Sequence, residues 1–414
     1  MSTTAPAAIR AGTSADAILG VVPKEVFSPS TVEEAGAILE DKARASAHVG
    51  FVGGGTTLSL GRPPARLDAI LRTDRLTRIV EHAPSDQIVV VEAGLTLASL
   101  QRAVAAHGQR LALDPPLAER RTIGGLVATN GFGARRTRYG SLRDLIIGVS
   151  LVRADGALAK GGGKVVKNVA GFDLPKMMVG SLGTLGLIAT ATFRLHPLPE
   201  VDVTLVARKK TARDVRSLVR AMRGAQLEPA AVAAFSAERD LDLGIRFEGF
   251  HEGVKEQVDR TLALAAKNGA ACDALDEASA SAFWARHDTA RTAGPLRAKV
   301  AMLPSAFEEF FERFLPTLHA AFSETAFVTY PTLGISFFSG VPSDAGAAAA
   351  AIASARELLA PGGGSLVLEE APAGVRSHTD PWGPPPASFA LMRELKDRLD
   401  PGGRLNPGRF VGGL

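Results

Sequence analysis

The sequence predicts an α+β protein built of two unlike halves and a short, ordered tail. Three observations carry this. Residues 22–199 alternate short apolar runs with amphipathic stretches of helical period. Residues 200–386 repeat the order strand–helix–strand–strand–helix, the pattern of ferredoxin-like units with an antiparallel sheet and helices on one side. Apolar residues make up 46% and charged residues 22% of 414, ordinary values for a chain long enough for two or three domains with large cores.

The elements follow in order. Residues 1–21 are rich in Ala, Ser and Thr and read as a flexible tail. Ser30 with Glu33 forms a capping box ahead of Ala35, Ile38 and Leu39 on one helix face. Residues 48–52 are a strand that runs into three glycines, and residues 87–92 are a second buried strand. Thr96 caps a helix bearing Leu97, Leu100 and Val104, and Gly108 stops it. Residues 145–153 and 157–160 form a hairpin around Asp155-Gly156, and residues 187–196 alternate as a strand. In the second half, Thr211 with Asp214 starts a helix carrying Val215, Leu218 and Met222. Strands are predicted at 203–208, 231–235, 241–247, 296–303, 327–330, 334–338 and 365–368, with helices at 253–267, 345–360 and one opened by Ser305 and Glu308. The phenylalanines of 307–314 serve the core, with a share in an exposed docking patch. Residues 284–299 read as a basic stretch beside a strand. The last helix, 388–399, leads into a glycine-rich end.

Several classes are excluded. Lys plus Arg is 47 and Asp plus Glu 43, so the net charge is +4 and no basic tract marks a nucleic-acid protein. One cysteine, Cys272, rules out an internal disulfide and cysteine-ligated iron–sulfur or zinc sites, and fits a reducing, cytoplasmic setting. No apolar stretch is long enough to span a bilayer, so any membrane association runs through partners. None of the eight histidines has H-x-x-x-H spacing and no G-x-S-x-G elbow occurs, so no metal site is assigned.

Three segments could carry chemistry. The run Val52-Gly53-Gly54-Gly55-Thr56-Thr57 leaves a strand with N–H groups free to converge on an anion, or is simply a tight strand-to-helix turn. Thr122-Ile123-Gly124-Gly125, continuing through Thr129, Asn130 and Arg138-Tyr139-Gly140, interleaves small and polar residues as a flat ligand would require. The third comprises residues 165–174 and the glycines of 180–186 before Ile188.

Together with Glu92-Ala93-Gly94, Asp114-Pro115-Pro116 and the tail Asn406-Pro407-Gly408-Arg409, these segments resemble the FAD-binding, vanillyl-alcohol-oxidase-like (PCMH-type) family, and within it the FAD-binding E subunits of glycolate-oxidase-type complexes. The resemblance covers most of 22–199 and the last dozen residues. It implies a PCMH-type FAD-binding domain of two α/β subdomains over 22–199, a cap or substrate domain over 200–386, and a C-terminal segment, 387–414, packing back on the FAD domain. It implies non-covalent FAD with its pyrophosphate on Gly53 to Thr57, since no His or Cys lies there to tether it. The ring would lie near Pro115, Pro116 and residues 124–131, and the adenine or ribose end near Gly183, Gly186 and Ile188. The partners implied are a catalytic flavoprotein subunit and an iron–sulfur subunit, and the substrate a small 2-hydroxy acid such as glycolate. The motif H-x-G-x-G-x-x-H, with which self-sufficient dehydrogenases of the family help bind a metal, does not occur. That favours an accessory subunit over a standalone dehydrogenase or oxidase; a non-redox structural subunit is the third reading. Hydride transfer would need a base for the hydroxyl proton and a cation for the carboxylate, for which the candidates are His287 with Arg286 or Arg297.

Overall fold

The structure, a computed structural model, describes residues 7–164, 173–236 and 240–414. The segment 165–172, which carried part of the family resemblance, lies outside the described residues.

The first sheet has the order β1-β2-β4-β3, from β1 (Ala8–Ala11), β2 (Glu25–Ser28), β3 (Val49–Val52) and β4 (Ala69–Arg72), with α1 (Val32–Arg44) crossing between β2 and β3. Strand β4 is parallel to both its neighbours, as a helical crossover requires. Residues 8–21 are not the expected tail. Strand β1 pairs antiparallel with β2, Ile18 is fully buried, and Arg10 clasps Asp16 at 2.6 Å. All four β1 side chains are exposed, so this edge strand is held by backbone bonds and leaves no hydrophobic signature in the sequence. The cap of α1 is also displaced by one residue: the Thr31 hydroxyl accepts from Glu34 N–H, while Glu34 reaches back to the N–H of Ser30.

The second sheet, antiparallel throughout, has the order β5-β6-β10-β8-β9, from β5 (Ile79–Ala83), β6 (Ile88–Glu92), β8 (Ile146–Val152), β9 (Leu158–Gly162) and β10 (Leu187–Arg194). Its connections contain α2 (Leu97–Ala105), β7 (Gln109–Arg110), α3 (Ile123–Thr129), α4 (Arg136–Tyr139), α5 (Leu142–Leu145) and α6 (Leu174–Met178); β7 pairs with β11 (His196–Pro197).

The third sheet has eight antiparallel strands in the order β15-β12-β14-β13-β17-β18-β16-β19. They are β12 (Val201–Lys210), β13 (Ala231–Ser236), β14 (Leu241–Gly249), β15 (Asp273–Ala274), β16 (Leu296–Ala301), β17 (Phe322–Tyr330), β18 (Ile335–Pro342) and β19 (Ser365–Glu370). Four helices, α7 (Ala212–Gly224), α8 (His251–Lys267), α10 (Phe307–Ala321) and α11 (Ala345–Leu359), cover one face in a core that includes Val215, Val254, Phe314 and Ile352. Phe307, Phe310, Phe311 and Phe314 are all buried in that core, so they supply no docking patch. The opposite face carries Val206, Ala233, Phe235, Tyr330 and Phe337, which share a core with Leu126, Phe132 and Met178 of the second sheet's connections. Helix α9 (Glu277–Thr292) wedges into this second interface, where a basic stretch beside a strand was expected.

After α12 (Ala373–His378) and α13 (Phe389–Leu399) the chain returns to the first sheet. Leu405 bridges to Val49, and Asn406 N–H donates to the Val49 carbonyl at 2.9 Å. The return is fixed by a buried Lys396, whose ammonium donates to Asp400, to the Thr184 carbonyl and to the Leu405 carbonyl.

Candidate functional site

A cleft open to solvent lies where the loop after β3 meets the start of α3 and the glycine segment before β10. Its first wall is Gly53-Gly54-Gly55-Thr56-Thr57. A Cβ on Gly53 would stand 2.2 Å from the Thr122 hydroxyl, and one on Gly54 only 1.8 Å from the Arg120 carbonyl. The loop therefore lies directly on the chain entering α3, and only glycine permits the approach. Thr122 makes the join: its hydroxyl accepts from Gly54 N–H and from Gly125 N–H, both at 3.3 Å, the second being the cap of α3. Gly124 packs on Ala93, where a Cβ would meet a Cβ at 2.7 Å.

The far wall is Leu182, Gly183, Gly186 and Ile188. Gly183 has a φ of +70° and stands against the Asn406 amide, which itself donates to the Leu182 carbonyl at 2.9 Å. Arg409 closes the base, donating to the carbonyls of Leu58 and Leu60 just beyond the glycine loop. Burial pulls its pKa down to about 10, with Arg376 adding repulsion.

Of the residues singled out in the sequence, Val52, Gly53, Gly54, Gly55, Thr56, Thr57, Thr122, Gly124, Gly125, Thr129, Gly183, Gly186, Ile188 and Asn406 line this one cleft. Six do not. Pro115 and Pro116 are buried in the turn before α3, beside Asp114, whose carboxylate accepts from Arg135 N–H at 3.1 Å. Asn130 ends α3 in the left-handed region. Arg138 and Tyr139 turn toward strand β14, Arg138 donating to the Glu248 carbonyl and the Tyr139 hydroxyl to the Glu248 carboxylate, while Gly140 ends α4 against Asp144. Their charge and aromatic ring serve the join between the two halves. Glu248 is its centre, fully buried and accepting from Arg110 at 2.6 Å and from Arg135 at 2.6 and 2.9 Å. Burial alone would raise the Glu248 pKa; the bonds from Arg110 and the charge of Arg135 outweigh it and bring it to about 2.

The three candidates for chemistry separate. Arg286 is half-exposed, paired with Asp242 at 3.0 Å on the rim of β14. Arg297 reaches from β16 to Glu370 at 3.0 Å. His287 is 1% exposed, inside a cage of Phe235, Trp284 and Tyr330 with ring separations of 6.1, 5.6 and 5.7 Å. Its Nδ1 meets the Asp288 carboxylate at 2.9 Å, and its Nε2 is buried without a partner.

Four further groups escape the sequence reading. Arg121 lines the cleft and Arg291 stacks on Phe337 at 3.2 Å; each has a buried Nε without a partner. The Tyr330 hydroxyl is likewise buried and unpartnered, its pKa pushed up to about 12 by burial. Lys299 points from β16 to the same side, opposite Phe337 in register. Burial lowers the Arg121 pKa to about 10, with repulsion from Arg291 the next cause, and burial lowers that of Lys299 as well. Arg121 directly precedes the Thr122 motif, and Lys299 is two residues from Arg297; alternation along β16 was the signal that would have paired them.

Residues 23–162 match the family described as FAD binding domain. Among curated proteins, the chain is 39% identical to the D-lactate dehydrogenase of Archaeoglobus fulgidus, over 44% of this chain and 40% of that protein. It is 34% identical to glycolate oxidase subunit GlcD of Bacillus subtilis, over 45% and 40%. It is 30% identical to glycolate oxidase subunit GlcE of Escherichia coli, over 55% and 63%. The alignments thus span from two fifths to just under two thirds of these relatives. Among solved structures, p-cresol methylhydroxylase with substrate bound superposes with a TM-score of 0.75 at 15% identity, covering 94% of this chain and 89% of that one. Alkyldihydroxyacetonephosphate synthase gives 0.72 at 17% identity, covering 94% and 78%. At such identities these two establish the fold.

Proposed function

We propose that the chain, whose residues 23–162 match the FAD binding domain family, is an FAD-dependent oxidoreductase subunit of the PCMH-type flavoproteins that oxidises a 2-hydroxy acid to the 2-oxo acid within a glycolate-oxidase-type complex. The observation that carries the reading is the single cleft formed by the glycine loop, the Thr122 segment and the Asn406 return, with a basic, partly unpaired cluster behind it. The cradle suits FAD because glycines at 53–55 and hydroxyls at Thr56 and Thr57 let a phosphate group approach the backbone closely. Gly53 to Thr57 would hold the pyrophosphate, and Gly183, Ile188 and Asn406 the adenosine end, without a covalent tether.

Bound flavin supplies the acceptor for the hydride of the carbinol carbon. The chain's residues have two tasks. The hydroxyl proton goes to His287 Nε2, which is free to accept because Nδ1 is engaged by Asp288. The carboxylate goes to Arg291, whose guanidinium is fixed flat on Phe337. Loss of the hydride and the hydroxyl proton together leaves the C=O of the product. Arg286 is replaced in this scheme by Arg291, because its side chain is spent on Asp242 at the rim.

Membership of a complex is supported by the likeness to GlcE, which the chain covers further than it covers GlcD. Electrons would leave through a catalytic flavoprotein subunit and an iron–sulfur subunit, since one cysteine cannot hold a cluster. The test is anaerobic mixing of the flavin-loaded chain with glycolate or D-lactate, with and without the partner subunits. Bleaching of the flavin with partners is expected, and His287→Asn should slow it on the order of a hundred- to ten-thousand-fold. Undiminished bleaching in that variant removes His287 from the scheme.

A further inference from the structure

A second hollow lies apart from the FAD cleft and shares no residue with it. It is a groove of about 1020 Å3 at the seam of the two halves. The later part of α7 with the chain after it lines one side, and the start of α10 lines another. Thr137 and Arg138 of α4 meet Pro331 and Thr332, which follow β17, and the two threonine hydroxyls stand 3.3 Å apart. The buried residues of the lining are apolar, Met222, Leu227, Phe307 and Pro331 among them, and make its floor.

The rim is cationic. Arg216, Arg220 and Arg223 recur at intervals of four and three, so they stand in a row along α7, and Arg138 adds a guanidinium from the other half. The row covers about 10 Å of helix axis. Arg220 and Arg223 are exposed, and neither has a hydrogen-bond or ion-pair partner among the described residues. Arg216 shares the Glu308 carboxylate with Arg213, at 2.8 and 3.0 Å. Among the described residues that line the groove, Glu228 alone is acidic.

Cations near a helix C-terminus suit its dipole, which accounts for Arg220 and Arg223 singly. It does not account for a row of like charges beside an apolar floor, or for Arg138 reaching the same rim from a distant part of the chain. Like charges so placed repel one another, and an anion laid across them relieves the repulsion. The shape selects the anion. A single phosphate needs donors that converge on a point, and these lie in a line. A nucleotide or a nucleic-acid strand needs a ring to stack on, and Phe307, the aromatic residue of the lining, is only 1% exposed. In an extended peptide, side chains on one side recur about every 7 Å, so two or three carboxylates meet the arginine row while the residues between them turn to the floor. We propose that this groove docks an extended acidic segment of a partner protein. No flavin is needed for it, so the docking groove and the oxidoreductase reading stand or fall separately.

The test follows the fluorescence anisotropy of a labelled peptide, Glu-Leu-Glu-Pro-Glu-Leu-Glu, titrated with the full chain; the same peptide with Lys for Glu is the control. The acidic peptide should bind saturably and the basic one should not, and the affinity should fall as salt rises. Arg220→Glu with Arg223→Glu should weaken binding roughly tenfold or more, and the milder pair Arg220→Gln with Arg223→Gln should act in the same direction. Arg393→Glu with Arg398→Glu, exposed on α13, makes the same change in net charge away from the groove and should leave the affinity within about twofold. The thermal midpoint shows that each variant is folded. No saturable binding of the acidic peptide, an equal loss in the α13 pair, no loss in the α7 pairs, or tighter binding of ATP or an oligothymidylate than of the peptide would overturn the inference.

Discussion

At the scale of single residues, the cleft depends on atoms that are missing. A side chain at Gly54 would begin 1.8 Å from the Arg120 carbonyl, which is backbone and cannot swing aside. Gly54→Ala is therefore expected to cost at least about 2 kcal/mol and to abolish FAD retention, read by thermal unfolding and by the flavin released on heating. A charge is not needed for that loss, so Ala and Asp variants should fail alike; retention of stoichiometric flavin by Gly54→Ala would show that the loop does not hold the cofactor. Thr122→Val keeps the bulk and removes the acceptor shared by Gly54 and Gly125, and should weaken FAD binding at a stability cost near 1 kcal/mol. Glu248 sets an acid limit. Its folded pKa of about 2 lies below the usual value near 4.5, so its stabilisation is fully present above pH 4.5 and is lost as the pH falls toward 2. The amount is on the order of 3 kcal/mol. Glu248→Gln should flatten the stability profile between pH 4.5 and 2, measured by urea unfolding across that range. These glycines and threonines were legible in the sequence because their pattern is local. Arg121 was not, because nothing local distinguishes it from its exposed neighbour Arg120; groups far along the chain, Arg291, Arg297, Tyr330 and Glu369, make the difference.

At the scale of elements, α9 shows why part of the site escaped. Its buried residues, Phe283, His287 and Arg291, recur at intervals of four and so lie on one face. Two of the three are polar, and a search for apolar periodicity passes over a helix whose inward face is mostly polar. The strand after it was legible because β16 alternates buried apolar residues with Arg297 and Lys299, whereas the short β15 before it was not expected. The β1 edge strand was missed for the opposite reason, having no buried side chain at all. The C-terminal return is an element whose purpose is visible only in three dimensions. Lys396 ties α13 to Asp400, Thr184 and Leu405, and Leu405 and Asn406 then dock on β3 beside the glycine loop. Lys396→Met leaves Asp400 buried without its cation and should cost about 3–5 kcal/mol. Flavin should be lost at a lower temperature than in the parent chain, and the two melting curves, followed by flavin fluorescence, would separate by several degrees. Coincident curves would show that the return does not support the cofactor site.

At the scale of the whole molecule, one sheet serves two purposes with its two faces. Helices α7, α8, α10 and α11 close one face into a self-contained core, and the other is left to pack on the FAD-binding half around Glu248, Phe132 and α9. In the proposed function the groups come from both halves: the cleft with Arg121 from one, and His287 and Arg291 on α9 from the other. Among the described residues no helix is long and apolar enough to cross a membrane. In the proposed complex, turnover with glycolate by the isolated chain is nearly absent and returns with the partner subunits; equal rates with and without them would make the chain a standalone enzyme. The most direct test of the central claim is the absorption spectrum of the purified chain before and after anaerobic addition of a 2-hydroxy acid together with the partner subunits. The account predicts oxidised flavin bands that bleach on addition. A chain that folds, binds its partners and shows no flavin bands would contradict it, and would make the protein a structural subunit on a flavoprotein fold.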